Sequence, residues 1–519
     1  MPLRGRIADR EGKFSGHTAQ RAIIDIGSNS VRMVMYGGSL RAPVTLLNEK
    51  VVARLGREIG ESGRLAQAAI DTAMRGLGRY ALILDDLGIT DVEVVATAAV
   101  REASNGPEFL EQVRGLGLSP RLLPGEEEAR VSAMGVIGAF PGATGVVADL
   151  GGGSLELVHI ADGECGEGAT LPLGTLRLPE LRADKVPDLR KVAAQMLKSA
   201  GWDAPIGGPL YLVGGTWRAM AVYAMHAQSH PLSDPHGFEM PRDDALKLAA
   251  QIADTAPAVL RQTPRVSSQR SATLPDAGAL LGALIKRLEP DRIVFSSWGL
   301  REGLLYDRLK PYAKGQDPLL AGMAVFAAQH GCPATLATRV AGWTVDALPP
   351  GWQGSERLRL AATMLSLASM QTEPNVRTGS AVDWALHKRW IALDASDRAM
   401  LAAAVSANGN NCDLPGRITQ LTTPERLEVA IAWGLAIRLC RRLGALSRRT
   451  FQASSLATTD GMLVLTIEES HAGMIGLPTE KDLRLLADRL GMESRIEIVP
   501  NTAIVRISDY AFGDLPVVA

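Results

Sequence analysis

Two segments of this chain carry the side chains and the backbone freedom needed to hold a phosphate group. Residues 25–34 read Asp-Ile-Gly-Ser-Asn-Ser-Val-Arg-Met-Val, and residues 149–158 read Asp-Leu-Gly-Gly-Gly-Ser-Leu-Glu-Leu-Val, one pattern repeated 124 residues later. In each, an Asp ends a short apolar run and a turn of small residues follows. Such turns aim backbone N–H groups at an anion. The first adds the donors Ser28, Asn29 and Ser30 beside Gly27; the second offers Gly151, Gly152 and Gly153 before Ser154, with no Cβ to block an oxyanion. Asp25 and Asp149 are acceptor-only carboxylates suited to Mg²⁺ or to a metal-bound water. Glu156 shares a strand face with Ser154 and Val158 and could help hold the same ion. Arg101 follows a strand end, and its guanidinium matches two phosphate oxygens at once. A third small turn, Gly214-Gly215-Thr216, lies between a strand and a helix and could receive an anion or an adenosine-like group. Paired turns gripping an anion from two sides make phosphoryl transfer the implied chemistry.

The elements around these turns alternate in type. Residues 22–27 and 31–36 read as strands flanking the first turn, and 145–150 and 154–158 flank the second. Between them come a helix at 66–87, a strand at 92–97, a helix begun near Pro107 and a strand running into Leu123. After the second turn follow a helix at 186–200, a strand at 210–213, a helix from Asp243, a strand at 292–295 and a helix at 299–309. The fold class is therefore α/β, with two halves at 21–140 and 141–310 that arose by internal duplication. Residues 311–318 read as a linker, 319–450 as a helical domain, and 451–519 as a small α+β region with strands at 462–468 and 495–508.

A length of 519 residues predicts three or four domains. The 55 Lys+Arg against 56 Asp+Glu leave a net charge of −1, so no global field favours nucleic acid or an anionic membrane. Four distant cysteines form no metal or disulfide spacing, and residues 1–20 are polar and Arg-rich without an apolar core, which predicts a flexible tail rather than a leader. The longest apolar runs are too short to span a bilayer, so the expectation is a soluble, cytoplasmic protein.

The runs DIGSNS at 25–30, DLGGGSLE at 149–156 and VGGT at 213–216 resemble the phosphate and nucleotide motifs of the actin–hexokinase–Hsp70 superfamily. With ATAAVREA at 96–103, GEEEAR at 125–130 and GLREGLLY at 299–306, the chain resembles the exopolyphosphatase / guanosine pentaphosphatase family over about residues 20–310, its motifs standing in that family's order. The resemblance implies two actin-like (ribonuclease H-like) domains followed by a helical HD-like domain, as in the long bacterial members, and a homodimer. It also implies Mg²⁺-dependent, processive release of orthophosphate from the end of inorganic polyphosphate, or hydrolysis of the 5′ γ-phosphate of guanosine pentaphosphate, without an organic cofactor. The Glu before Ala-Arg is the catalytic one in that family, which carries over to Glu128; three consecutive glutamates leave Glu127 open as the alternative. A kinase, an ATP-driven chaperone or a non-catalytic phosphate-polymer sensor of the same superfamily are the rival classes.

Other candidates carry less. His226 and His230 stand four apart, but in HAQSH rather than a zinc motif, and read as a solvated helix end. Residues 361–390 contain no adjacent His-Asp pair, so the HD-like domain should lack a metal centre and serve substrate-length recognition or dimerisation. Arg438, Arg441, Arg442, Arg448 and Arg449 form a stripe that could either guide a chain of phosphates or be a solvated helix face.

Overall fold

The computed structural model describes residues 20–183, 189–501 and 504; the expected N-terminal tail, the start of the helix expected from 186 and the end of the strand expected to reach 508 lie outside them. The chain divides into two compact units, Met1–Gly322 and Met323–Ala519.

In the first unit, β1 (Arg21–Ile26), β2 (Val31–Gly38) and β3 (Pro43–Val51) form an antiparallel meander, to which β4 (Val92–Ala96) and β5 (Pro120–Leu122) add in parallel, giving the order β3-β2-β1-β4-β5. A second sheet contains β6 (Gly145–Leu150), β7 (Leu155–Ala161), β8 (Glu164–Leu171), β9 (Leu210–Val213), β10 (Glu239–Pro241) and β11 (Arg292–Ser296) in the order β10-β11-β9-β6-β7-β8. Apart from β10, an added antiparallel edge, this repeats the first order strand for strand. The central strands are covered on both faces, which is why Ile23-Ile24 and Val146-Val147-Ala148 run as continuous apolar text instead of alternating.

The boundary expected at 140/141 separates two main cores, one built from residues 22–118 and one from 146–295, but the last helix of each half crosses it. The helix Gly125–Ala139, which ends the first half, packs Ala133, Val136 and Ile137 against Val158 and Ile160 of the second sheet. The helix Leu300–Asp307, which ends the second half, sends Leu304 and Leu305 among Ile23, Val34 and Val95 of the first. The halves thus exchange their last helices, and the two helices meet backbone to backbone through glycines: a Cβ on Gly303 would lie 1.8 Å from the Val131 carbonyl oxygen. Nor is the Pro-rich stretch after 310 a free linker. It forms the short helix Pro311–Lys314, buries Ala313, and is strapped down by Arg41, whose Nε donates to the carbonyls of Lys314 and Gln316 while Nη1 donates to that of Gly138.

The second unit is mainly helical. Its longest helix, Pro424–Gly444, starts with a Thr423 side-chain cap and packs along Ala395–Asn408, Gly434 allowing close approach to Ala404 and Ala407. A small sheet, β12 (Ser454–Thr459), β13 (Met462–Glu468) and β14 (Glu493–Val499), is crossed by the helix Leu477–Leu490.

The arginine stripe expected here is corrected in part. Arg438 and Arg442 both donate to the buried Asp482, and Arg441 is half-buried among its neighbours, so only Arg448 and Arg449 stand as solvated cations without that partner. The helical period placed Arg438 and Arg442 on one face, but Asp482, 40 residues or more away in sequence, claims it, and Arg448 and Arg449 belong to a separate short helix, Arg448–Gln452. Asp482→Ala leaves two guanidinium groups uncompensated and is expected to lower the stability of this unit by about 3 kcal/mol in urea unfolding; an unchanged midpoint would show that the pair is not structural.

Candidate active site

The two Asp-led turns close in the same way. Gly27 N–H donates to Ser30 O at 3.2 Å, and Gly151 N–H to Ser154 O at 3.0 Å, each directly beyond a matched strand pair, Ile26 with Val31 and Leu150 with Leu155. They face each other across a cleft of about 170 Å³. Their approach is close: a Cβ on Gly152 would meet the Ser28 Cβ at 2.9 Å, and one on Gly153 the Ser28 Oγ at 3.2 Å. Only glycine allows the turns to come together.

Of the residues expected from the sequence, Asp25, Gly27, Ser28, Asn29, Ser30, Glu128, Asp149, Gly151, Gly152, Gly153, Ser154, Gly214 and Gly215 line the cleft. Gly214 has φ of +120° and packs against the Leu150 carbonyl, a position closed to other residues. Arg101, Glu156 and Thr216 stand behind the wall. Arg101 donates to Glu128 Oε2 at 3.0 Å and to the Leu123 carbonyl at 2.8 Å, so it positions the carboxylate rather than lining the cleft. Glu127 turns outward to an ion pair with Arg121, which leaves Glu128 as the cleft carboxylate of the Glu126–Glu128 run.

Burial governs the electrostatics. It pushes the Glu128 carboxyl from 4.5 up to about 7; Arg101 opposes this, and the charges of Asp149 and Asp25 add to it. Burial also raises Asp25, against the pull of Arg301 and Arg32, and raises Asp149, against the hydroxyl donated by Ser132. Glu156 lies well above the usual carboxylate range through burial and the neighbouring Glu128 and Asp149, and its Oε1 has no hydrogen-bond partner.

Asp25, Asp149 and Glu156, expected as metal ligands, do not stand as one tight cluster: among the described residues no three acidic, His or Cys side chains converge closely enough to enclose a metal. Glu156 sits on β7 opposite Asp149 and beneath the turn rather than beside Asp25. The donor set fits a looser ion, because Mg²⁺ commonly takes one or two carboxylates and fills its shell with phosphate oxygens and water.

Four guanidinium groups were missed. Arg32, Arg218, Arg270 and Arg301 all line the cleft. Arg270 Nη1 donates to Thr216 Oγ1 at 2.7 Å, and its guanidinium lies over the Gly215 backbone, filling the turn that the sequence offered to an anion or an adenosine. Arg218 is half-buried, makes no ion pair among the described residues, and is pushed down to about 10 by desolvation. Arg301 Nη1 is buried with no partner. The available signal was a single Arg in each of four otherwise apolar or small-residue stretches, such as Gly-Thr-Trp-Arg-Ala-Met.

Duplicated sheets of this order, meeting at paired phosphate turns, define an actin-like phosphate-transfer fold. An exopolyphosphatase structure from Cytophaga hutchinsonii has that fold in common with it, at a TM-score of 0.50 and 21% identity over 56% of this chain and 98% of that one. Residues 32–311 match the Ppx/GppA phosphatase family, and the chain belongs to that family. It is similar to exopolyphosphatase 1 of Mycobacterium leprae, 30% identical over 311 residues that span 56% of this chain and 90% of the relative. Exopolyphosphatase 1 of Mycobacterium tuberculosis is 28% identical over 312 residues, 56% of this chain and 89% of the relative.

Proposed function

We propose that this protein is an exopolyphosphatase, which removes orthophosphate processively from the end of inorganic polyphosphate. The observation that carries the reading is Glu128, a carboxylate held by Arg101 at the cleft between the facing turns and titrating near 7, where a general base works at neutral pH. The terminal phosphate sits against the N–H groups of the two turns. Arg218 and Arg301, half-buried and poor in protein partners among the described residues, offer it donors. Glu128 accepts the proton of the attacking water, which approaches in line with the bridging oxygen. Asp25 or Asp149 would hold a Mg²⁺ ion, which would supply charge neutralisation to the phosphate oxygens. The second unit is read as an HD-like helical domain without a hydrolytic centre of its own.

The test is orthophosphate release from polyphosphate and from guanosine pentaphosphate, each with Mg²⁺ and with excess chelator. Mg²⁺-dependent release with kcat/KM higher for the polymer is expected; preference for the nucleotide would reassign the substrate, and no release from either would overturn the reading.

A further inference from the structure

We propose that Arg32, Arg270 and Lys50 form a track along which the phosphates behind the terminal one leave the cleft, and that Lys50 at its outer end selects chains over short substrates. The proposal rests on the polyphosphate reading above.

The track follows from strand register. Asp25 on β1 is paired with Arg32 on β2, and Arg32 with Lys50 on β3. Directly paired residues project from the same face, and strands lie about 4.8 Å apart, so this row runs about 10 Å from the cleft toward the sheet's edge. Arg32 lines the cleft and Lys50 is exposed. The duplicated half shows what the same row holds when it has another task. There Asp149 pairs with Glu156, and Glu156 with Thr170. Beyond the Asp that heads each row, one is carboxylic and then neutral, and the other is cationic to its end.

Duplication has thus produced a cleft with electrical polarity. Glu128 feels the charges of both Asp149 and Asp25, and Glu156 that of Glu128, so the water-activating group stands with the carboxylates at the inner ends of the two rows. A linear polyanion with its end at Glu128 has to run its remaining phosphates toward the opposite side, and Arg32 and Lys50 are the charges found there.

Arg270 completes that side. The helix Ser268–Leu288 brings it in, fixed by Arg270 to Thr216 and by Gln269, whose Nε2 donates to Asn29 Oδ1 at 2.8 Å. Among the described residues none of the ion pairs involves Arg32, Lys50 or Arg270. After burial, Arg270 and Arg32 are the causes that lower Lys50, and Arg32 lowers Arg270, so these cations repel one another, and of the three only Arg32 feels the protein carboxylates Asp25 and Glu302. A string of phosphates removes that repulsion at each step outward. A short substrate ends before Lys50, and a nucleotide would place neutral ribose there.

The experiment compares full-length wild type with Lys50→Gln, measuring orthophosphate release from long-chain polyphosphate and from tripolyphosphate. The ratio of kcat/KM for the long chain to that for tripolyphosphate is expected to fall roughly tenfold, the worth of one charge-assisted phosphate contact. Lys50→Arg should restore it, and the dependence of log KM on log salt for the long chain should become shallower in Lys50→Gln. A ratio equal to wild type, or an equal loss on both substrates, overturns the track. A wild type that releases phosphate from neither substrate overturns the polyphosphate reading itself.

Discussion

Replacing Glu128 by Gln is expected to lower kcat by about 10²–10⁴-fold while making the protein more stable above pH 7. The loss follows from removing the acceptor for water's proton at a site where Arg101 can still hold the amide oxygen. The gain has a separate cause. In the folded protein Glu128 keeps its proton up to about 7, whereas an unfolded chain releases it near 4.5. Between those values the unfolded state binds fewer protons, so stability falls as pH rises through the window and levels off above it. Glutamine has no such dependence. Thermal unfolding at pH 8 should show the variant ahead by about 1–3 kcal/mol, with the two proteins converging near pH 4. Wild-type kcat/KM should rise with pH through about 7. Undiminished turnover in the variant would remove Glu128 from the mechanism, and a lower melting point at pH 8 would show that its burial is not the dominant effect.

Gly303→Ala should be among the most damaging single changes in the first unit, although Gly303 is not part of the cleft. Its Cβ would stand 1.8 Å from the Val131 carbonyl oxygen and 3.0 Å from the Gly135 nitrogen, both backbone atoms of the facing helix, so no rotamer change relieves the clash. The two helices have to separate, at a cost of about 3 kcal/mol or more. Val131 is one turn from Glu128 on the same helix, and Arg301 is two residues before Gly303. Their separation displaces the base from the arginine, and a misplacement of about 1 Å is worth roughly 10²-fold in rate. Melting temperature and kcat should drop together. Gly282→Ala serves as the control: nothing lies within 4 Å of its Cβ, and Ala in a helix interior is better by up to about 1 kcal/mol. A Gly303→Ala protein that melts and turns over like wild type would show that the crossing is looser than its geometry.

Much of the site was legible because it is local. The Asp-led turns, Glu128 and Gly214–Gly215 could be found because each is a short motif at a strand or helix end, where small residues dictate backbone shape. Glu156 and Thr216 were found for the same reason but given the wrong place, since alternation tells which face a residue takes and not what lies in front of it. Arg101 was read as a phosphate ligand because its type permits that; only tertiary structure shows its contact with Glu128.

The amino-acid order by itself determined the duplication, the twin turns and their suitability for phosphate, because backbone freedom at glycine and period-two alternation are properties of neighbouring residues. Tertiary structure decided which helix covers which sheet, and so brought Arg32, Arg218, Arg270 and Arg301 from four separate elements into one cleft. An apolar helix face reads the same whichever sheet it buries, and an arginine reads as solvated until packing removes the water around it. The electrical polarity of the cleft belongs to both: the residues at paired positions were written in the chain, but their pairing existed only once the strands had found their register.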